Sequence, residues 1–206
     1  VDVNQDAVDT LNQGKIHIVE PDLDVAVHTA VTTGCLIATT EPQEADAFII
    51  AVPTPFKEGH KPDLSYVKAA CDAIAPVLKP NNLVVLESTA PVGTTCRMAQ
   101  WLADARSDLL FPQNDAKQID INISHCPERG LPGQVMRELV DNARIIAGIT
   151  EECAERSVEL YRAFVKGDCI VTDASTAEMA KLTENSFRDV NIAFANELSL
   201  ICAKMN

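Results

Sequence analysis

Lys181, Asn185 and Arg188 stand at i, i+4 and i+7 in a stretch free of glycine and proline, so one helix face carries all three. An ammonium and a carboxamide one turn apart can hold an oxyanion or a substrate hydroxyl, and a partly buried lysine can also transfer a proton. The plain alternative is a solvated helix face with Glu184 close by. Against it, asparagine is a mediocre helix former, and no acid lies on the stripe itself. A second constellation is the loop Cys126-Pro127-Glu128-Arg129-Gly130-Leu131-Pro132-Gly133. Here Glu128 can orient water or accept a proton, and Arg129 can hold an anionic group. Paired with each other at the surface, the two would contribute little. Two prolines and two glycines restrict this backbone, which favours the functional reading.

The third group sits where apolar runs end. Residues 47–52 lead into Pro53-Thr54-Pro55, and residues 83–86 lead into Glu87-Ser88-Thr89-Ala90-Pro91-Val92-Gly93-Thr94-Thr95. In open parallel sheets ligands bind beyond the carboxyl ends of the strands, where hydroxyls and helix-start amides suit phosphate, ribose or amide groups. Thr54, Ser88 or Thr89 alone reads as a helix cap; together, at successive strand ends, they read as a binding edge. Asp2 follows a short apolar start and precedes a helix. That is the place of a ribose-binding acid in a dinucleotide fold, and equally of an ordinary helix-start residue. The Gly-x-Gly-x-x-Gly loop expected about 20 residues earlier is not supplied by any of the eight glycines.

His17, His28, His60 and His125 form no metal-ligand spacing and read as structural or exposed, so no metal is expected. The seven cysteines include no C-x-x-C pair, which argues against structural zinc and a disulfide framework. Free thiols in a reducing compartment are expected. Cys126 lies nearest the candidate site but reads as a small buried thiol.

These residues need a frame, and the sequence supplies one. Short apolar runs at 1–3, 35–38, 47–52, 83–86, 122–126, 144–147 and 169–171 alternate with helical patterns. Asn4 caps the first helix and Gly14 stops it; Gly34 closes the second; later helices fall at 63–77, 94–105, 135–139 and 151–164. The expected fold is α/β: a Rossmann-like, doubly wound, mostly parallel sheet followed by a long connecting helix. That helix covers 175–206, about 30 residues against a mean near 11–12, and suits an inter-domain bridge or a dimer seam. Residues 1–172 are expected to form an NAD-binding domain and residues 173–206 a central helix.

The 206 residues carry 17 basic and 30 acidic side chains, a net charge of −13, with 47% hydrophobic residues. Such a chain can bury a real core but is a poor match for nucleic acid or an anionic membrane. Any anionic ligand must be met by a few placed cations and backbone amides. No apolar run approaches the ~20 residues that span a bilayer, and no signal-peptide pattern is present. The expected location is cytoplasmic.

Five segments, VDVNQDAVDTLNQGKIHIVEPDL, AVPTPF, ESTAPVGTT, CPERGLPGQ and AEMAKLTENSFRDVNIAFANELSLICA, resemble successive motifs of the UDP-glucose/GDP-mannose dehydrogenase family. The CPER-x-LPG loop and the last helix most resemble its bacterial UDP-N-acetyl-D-mannosamine branch. The resemblance runs through the whole chain and places it in the N-terminal half of such enzymes. It implies a four-electron oxidation of a UDP-sugar C6 alcohol to the uronic acid with two NAD+, through a cysteine-bound thiohemiacetal and thioester, in surface polysaccharide biosynthesis. On that pattern Lys181 moves a proton and stabilises the oxyanion with Asn185, while Glu128 and Thr89 place the hydrolytic water. Asp2, Thr54 and Thr95 contact NAD. Arg129, the Gly130 backbone, Lys181, Asn185 and Arg188 contact the UDP-sugar.

The departures are specific. The family's nucleophilic Gly-Gly-x-Cys segment and the UDP-binding domain lie beyond this chain, so none of its seven cysteines takes that role and the chain alone is expected to be inactive. Gly130 stands where an aliphatic residue is expected. Pro132 replaces a second acid found in glucose-oxidising relatives, which favours an N-acetylmannosamine-type substrate. Two rival readings remain open at this stage. One is a β-hydroxyacid or 6-phosphogluconate-type dehydrogenase, which also places Lys and Asn one turn apart on a long helix. The other is a non-catalytic fragment that dimerises through that helix.

Overall fold

The computed structural model describes residues 1–16, 18, 20–112, 118–130 and 133–205. His17, Leu131, Pro132 and Asn206 therefore lie outside the described residues, and with them the reading of Pro132. Asn4 starts α1 (Gln5–Asn12), its side-chain oxygen accepting the Asp6 amide at 2.9 Å, and Gly14 follows at φ +68°. After α2 (Leu23–Thr32) comes strand β1 (Ala47–Ile50). A hairpin the sequence did not announce, β2 (Phe56–Lys57) with β3 (Lys61–Pro62), turns at Gly59. Then follow α3 (Ser65–Ile74), β4 (Leu83–Leu86) and α4 (Thr94–Ala105). The chain continues through β5 (Asn122–His125), α5 (Val135–Asp141), β6 (Arg144–Gly148), α6 (Glu151–Arg162), β7 (Cys169–Asp173) and α7 (Ala174–Met205).

Five strands form one sheet in the order β1-β4-β5-β6-β7. The inner strands β4 and β5 are buried on both faces, as strands with helices on either side must be. Phe48, Ile50, Val84, Leu86 and Ile123 pack beneath α3 and α4 with Met98 and Leu102. Leu83, Val85 and Ile146 pack against Tyr161 and Val165 on and just past α6. β1 is at the sheet edge, so Ile49 is 46% exposed where the sequence suggested burial. The pairings are parallel except β5 with β6, which is antiparallel. Between these two strands the chain has a helix of only 7 residues and turns back at the same end of the sheet.

The runs at 1–3 and 35–38, expected as strands, are not strands. They lie near each other through one backbone bond, Asp2 N to Thr39 O at 3.0 Å, and Asn12 brackets Ala38 with two side-chain bonds. A strand exists only as part of a ladder, and one bond does not make one. α7 extends 32 residues, about 48 Å at ~1.5 Å per residue. Of its residues, Ala174, Ala177 and Glu178 are buried, with Ala174 and Ala177 packed on Ala147. Among the described residues no helix is long and apolar enough to cross a membrane.

Candidate functional site

The carboxyl ends of β1 and β4 are stitched together by hydroxyls. Ser88 Oγ accepts the Val52 amide at 2.8 Å and donates to the Val52 carbonyl at 2.7 Å, while Thr54 Oγ1 donates to the Thr89 carbonyl at 2.6 Å. These groups are neither helix caps nor free; they brace the strand-end loops on which a ligand would rest. Asp2 is exposed, and its Oδ1 accepts the Asn4 amide at 2.9 Å.

The start of α4 is closed from above by α7. Glu178, 1% exposed, accepts the amides of Gly93 at 2.6 Å and Thr95 at 2.7 Å, and the Thr95 hydroxyl at 2.6 Å. Gly93 has φ +92°, a conformation that only glycine adopts cheaply. Thr95, expected as a cofactor contact, is fully buried with both its amide and its hydroxyl committed to Glu178. His125 of β5 lies in the same field. Burial pushes its imidazole pKa down, against the nearby Glu178 charge and the Leu86 backbone.

Ala174, Ala177, Glu178, Lys181, Asn185 and Arg188 follow one another at helical spacing, so the polar stripe prolongs the very face by which α7 docks. Lys181 is half-buried; Asn185 and Arg188 are exposed. Burial, helped by Arg188 and Arg129, lowers the Lys181 pKa against the pull of Glu184 and Glu128. Lys181 therefore feels the charges of the loop after β5, while Asn185 and Arg188 stand open to solvent.

In that loop Glu128 folds back on its own backbone. Its Oε1 accepts the amides of Arg129 at 2.7 Å and Gly130 at 2.5 Å, and its Oε2 takes Arg144 Nη1 at 2.7 Å. Burial pushes this carboxyl up, but the Arg144 pair and the two amides outweigh it and leave Glu128 below its ordinary value. Gly130 fits closely: a Cβ there would stand 3.0 Å from Glu128 Oε1. The Glu128–Arg129 pairing considered from sequence does not form. Arg129 instead forks onto Glu184 of α7, Nε–Oε2 at 3.2 Å and Nη2–Oε1 at 3.1 Å, and Glu184 is held below its ordinary value.

Several participants escaped the sequence reading. Arg144 opens an apolar strand and is buried; Tyr161 lies under its guanidinium at 5.8 Å and donates its hydroxyl to Glu87 Oε1 at 2.6 Å. Burial raises the Glu87 pKa above the usual carboxylate value, with Glu128 adding and the Tyr161 bond opposing. Glu20 receives the amides of Gly133 and Val135, each at 2.8 Å, and so tethers the far end of the loop to the segment before α2. A charged residue inside an apolar run was the only available signal, at Arg144. Cys126 is fully buried and its thiol is pushed up to about 12 by burial, which disfavours the thiolate at neutral pH.

An open groove of about 790 Å³ runs along another flank of α7, lined by Val92, Arg129, Met179, Thr183, Glu184 and Phe187 among others. Past it α7 is exposed on all sides, with Phe187 at 73% and Phe194 at 64%.

Residues 1–165 match the UDP-glucose/GDP-mannose dehydrogenase family, NAD binding domain, and residues 175–206 match that family's central domain. The chain is 64% identical over 207 residues to the UDP-N-acetyl-D-mannosamine dehydrogenase of Campylobacter jejuni, covering 100% of this chain and 51% of that protein. It is 65% identical over 202 residues to the NDP-N-acetyl-D-galactosaminuronic acid dehydrogenase of Ralstonia nicotianae, covering 98% and 48%. Among solved structures, the UDP-N-acetyl-mannosamine dehydrogenase Cap5O of Staphylococcus aureus matches with a TM-score of 0.88 at 43% identity, covering 100% of this chain and 49% of that one. The chain spans about half the length of the curated relatives it matches.

Proposed function

The chain belongs to the UDP-glucose/GDP-mannose dehydrogenase family, and on that premise we propose that it supplies the cofactor-binding and proton-handling part of a nucleotide-sugar 6-dehydrogenase. The substrate is UDP-N-acetyl-D-mannosamine, oxidised at C6 to the uronate in two two-electron steps for surface polysaccharide synthesis in the cytoplasm. One observation carries this reading: Arg129 of the loop after β5 grips Glu184 of α7 one turn from Lys181, which holds the helix stripe and the Glu128 loop together. Near-equal identity to relatives named for two different N-acetylhexosamine derivatives makes the sugar a matter for experiment.

NAD supplies the hydride acceptor when bound. The residues present fit it in part. Thr54 and Thr89 stand half-exposed on the braced strand-end loops and Asp2 is open for a ribose, while the phosphate-binding glycine loop has no counterpart in this sequence. Thr95 serves this edge by holding Glu178, not by direct contact. Lys181, with its pKa lowered, takes the proton leaving the C6 hydroxyl and then stands as a cation beside developing negative charge. Asn185, one turn on, adds an amide donor to the same oxygen. Glu128, held ionised, orients water with Thr89. Arg129, the Gly130 backbone and Arg188 meet the nucleotide-sugar, and Arg129 must share its guanidinium with Glu184 to do so. This distribution lets a chain of net charge −13 bind two anionic nucleotides.

In the proposed domain division, residues 1–172 bind NAD and 173–206 form the central helix. The exposed apolar side chains of α7 suit a homodimer seam in which a second copy covers Phe187, Val190 and Phe194. The deciding experiment counts NADH released per sugar by a full-length enzyme carrying this segment. Two per UDP-N-acetyl-D-mannosamine supports the reading. One overturns the two-step oxidation. None with this sugar, but turnover with an N-acetylgalactosamine derivative, moves the assignment to that substrate.

A further inference from the structure

Behind Glu128 runs a buried polar chain that the reaction above does not use. Arg144 is 1% exposed at the start of β6, and its Nη1 donates to Glu128 Oε2 at 2.7 Å while Nη2 reaches the Leu139 carbonyl at 3.4 Å. The guanidinium carbon sits 5.8 Å from the ring centroid of the fully buried Tyr161. Tyr161 in turn donates to Glu87 Oε1 at 2.6 Å, directly before Ser88 and Thr89. One line of contacts, Glu87–Tyr161–Arg144–Glu128, thus ties the end of β4, α6 and the start of β6 to the loop after β5. Tyr161 and Cys126 belong to the buried cluster that α6 forms with Leu83, Val85 and Ile146 on this side of the sheet.

Taking a guanidinium out of water is costly, and a well-packed apolar residue stabilises such a position at least as well. The ion pair is therefore weak as an explanation of stability. What it does achieve is geometric: a planar guanidinium, stacked on a ring that is itself held by a carboxylate, leaves one orientation for the group it binds. Glu128 has both oxygens assigned, Oε1 to two backbone amides and Oε2 to Arg144, while its side chain stays 38% exposed.

Resting on the function proposed above, we propose that Arg144 is a positioning residue for Glu128, held in place by Tyr161 and Glu87, and that it fixes the carboxylate that orients the hydrolytic water. The same contacts favour the ionised form of Glu128, and the effect of Arg144 is expected on the water-requiring step rather than on nucleotide binding. Tyr161 is the stiff backing of that contact, and Glu87 is the anchor of Tyr161.

The test uses a full-length enzyme carrying this segment, with Arg144→Met, Arg144→Lys and Tyr161→Phe. Arg144→Met is expected to lower kcat at least tenfold with KM for both nucleotides within twofold. The acid limb of its kcat–pH profile moves to higher pH, because Glu128 loses the cation that favours its ionised form. Hydride transfer in the first turnover stays fast while release of the acid slows. Arg144→Lys restores part of kcat and part of the pH shift; Tyr161→Phe gives a smaller shift in the same direction. If the Met variant does not fold, the Lys and Phe variants decide. Unchanged pH limbs and an unchanged hydrolysis step in these variants, with only a lowered Tm, overturn the positioning role and leave the dehydrogenase reading standing. A wild-type yield of one NADH per sugar overturns both.

Discussion

Arg129 lies across the carboxylate of Glu184 in a two-point contact, 3.1 and 3.2 Å, and so clasps the loop after β5 to α7 one turn from Lys181. Both side chains are about one-third exposed, at 32% and 31%, so their pairing belongs to the weak class of solvent-screened bridges. Its value is placement. A double-mutant cycle of Arg129→Ala and Glu184→Ala is expected to show a coupling of about 0.5 kcal/mol or less in denaturant unfolding. In a full-length enzyme, Arg129→Ala raises KM for the nucleotide-sugar more than Glu184→Ala does.

Lys181 gives a chemical signature independent of turnover. Its pKa is lowered chiefly by burial, so more of it is neutral amine at pH 7–8 than of an exposed lysine. Limited modification with an amine-directed reagent, read by mass spectrometry, should label Lys181 ahead of the more exposed Lys57 and Lys79 at equal accessibility-corrected yield. Equal or slower intrinsic labelling would mean the amine is not tuned. Lys181→Ala is expected to lower kcat by about 10²-fold or more while NAD affinity changes little.

The two carboxylates joined through Arg144 and Tyr161 respond oppositely to pH. Glu128 has a folded pKa below its unfolded value, so its contribution to stability is present above the ordinary glutamate pKa, about 4.3, and lost as pH falls through the folded value. Glu87 has a raised folded pKa, so its contribution is full below about 4.3 and lost as pH rises through the folded value. Glu87→Gln keeps an acceptor for Tyr161 and is expected to be relatively more stabilising at pH 7 than at pH 4. Urea midpoints at the two pH values check the sign.

The cysteines should separate into two classes. Cys35 and Cys202 are exposed, whereas Cys71 and Cys126 are buried with thiols pushed up to about 12. A maleimide pulse on folded protein should label the first pair within minutes and spare the second until denaturant is added. Rapid labelling of Cys126 would reopen its candidacy as nucleophile.

Gly148 tests the packing that sets β6 against α6. A Cβ there would stand 2.3 Å from both Ala154 N and Thr150 O, backbone atoms that cannot swing aside. Gly148→Ala is expected to cost about 3 kcal/mol, measured by equilibrium unfolding.

What the sequence disclosed was what is local. The period of three and four found α7 and put Lys181, Asn185 and Arg188 on one face, because spacing along a helix fixes direction. Apolar runs located the five strands of the main sheet for the same reason. What it concealed was pairing across distance: Glu178 and Gly93 are 85 residues apart, Tyr161 and Glu87 are 74 apart, and Glu20 and Val135 are 115 apart. No periodicity encodes such partners. The segments at 1–3 and 35–38 show the converse, since strand-like composition produces no strand without a ladder to join.

The start of α4 is the kind of place where α/β proteins commonly seat a ligand's phosphate. Here Glu178 already sits on its amides, an internal surrogate anion that never dissociates into solvent. An external anion would have to displace that carboxylate to reach the amides of Gly93 and Thr95, so this helix start is closed as a phosphate seat.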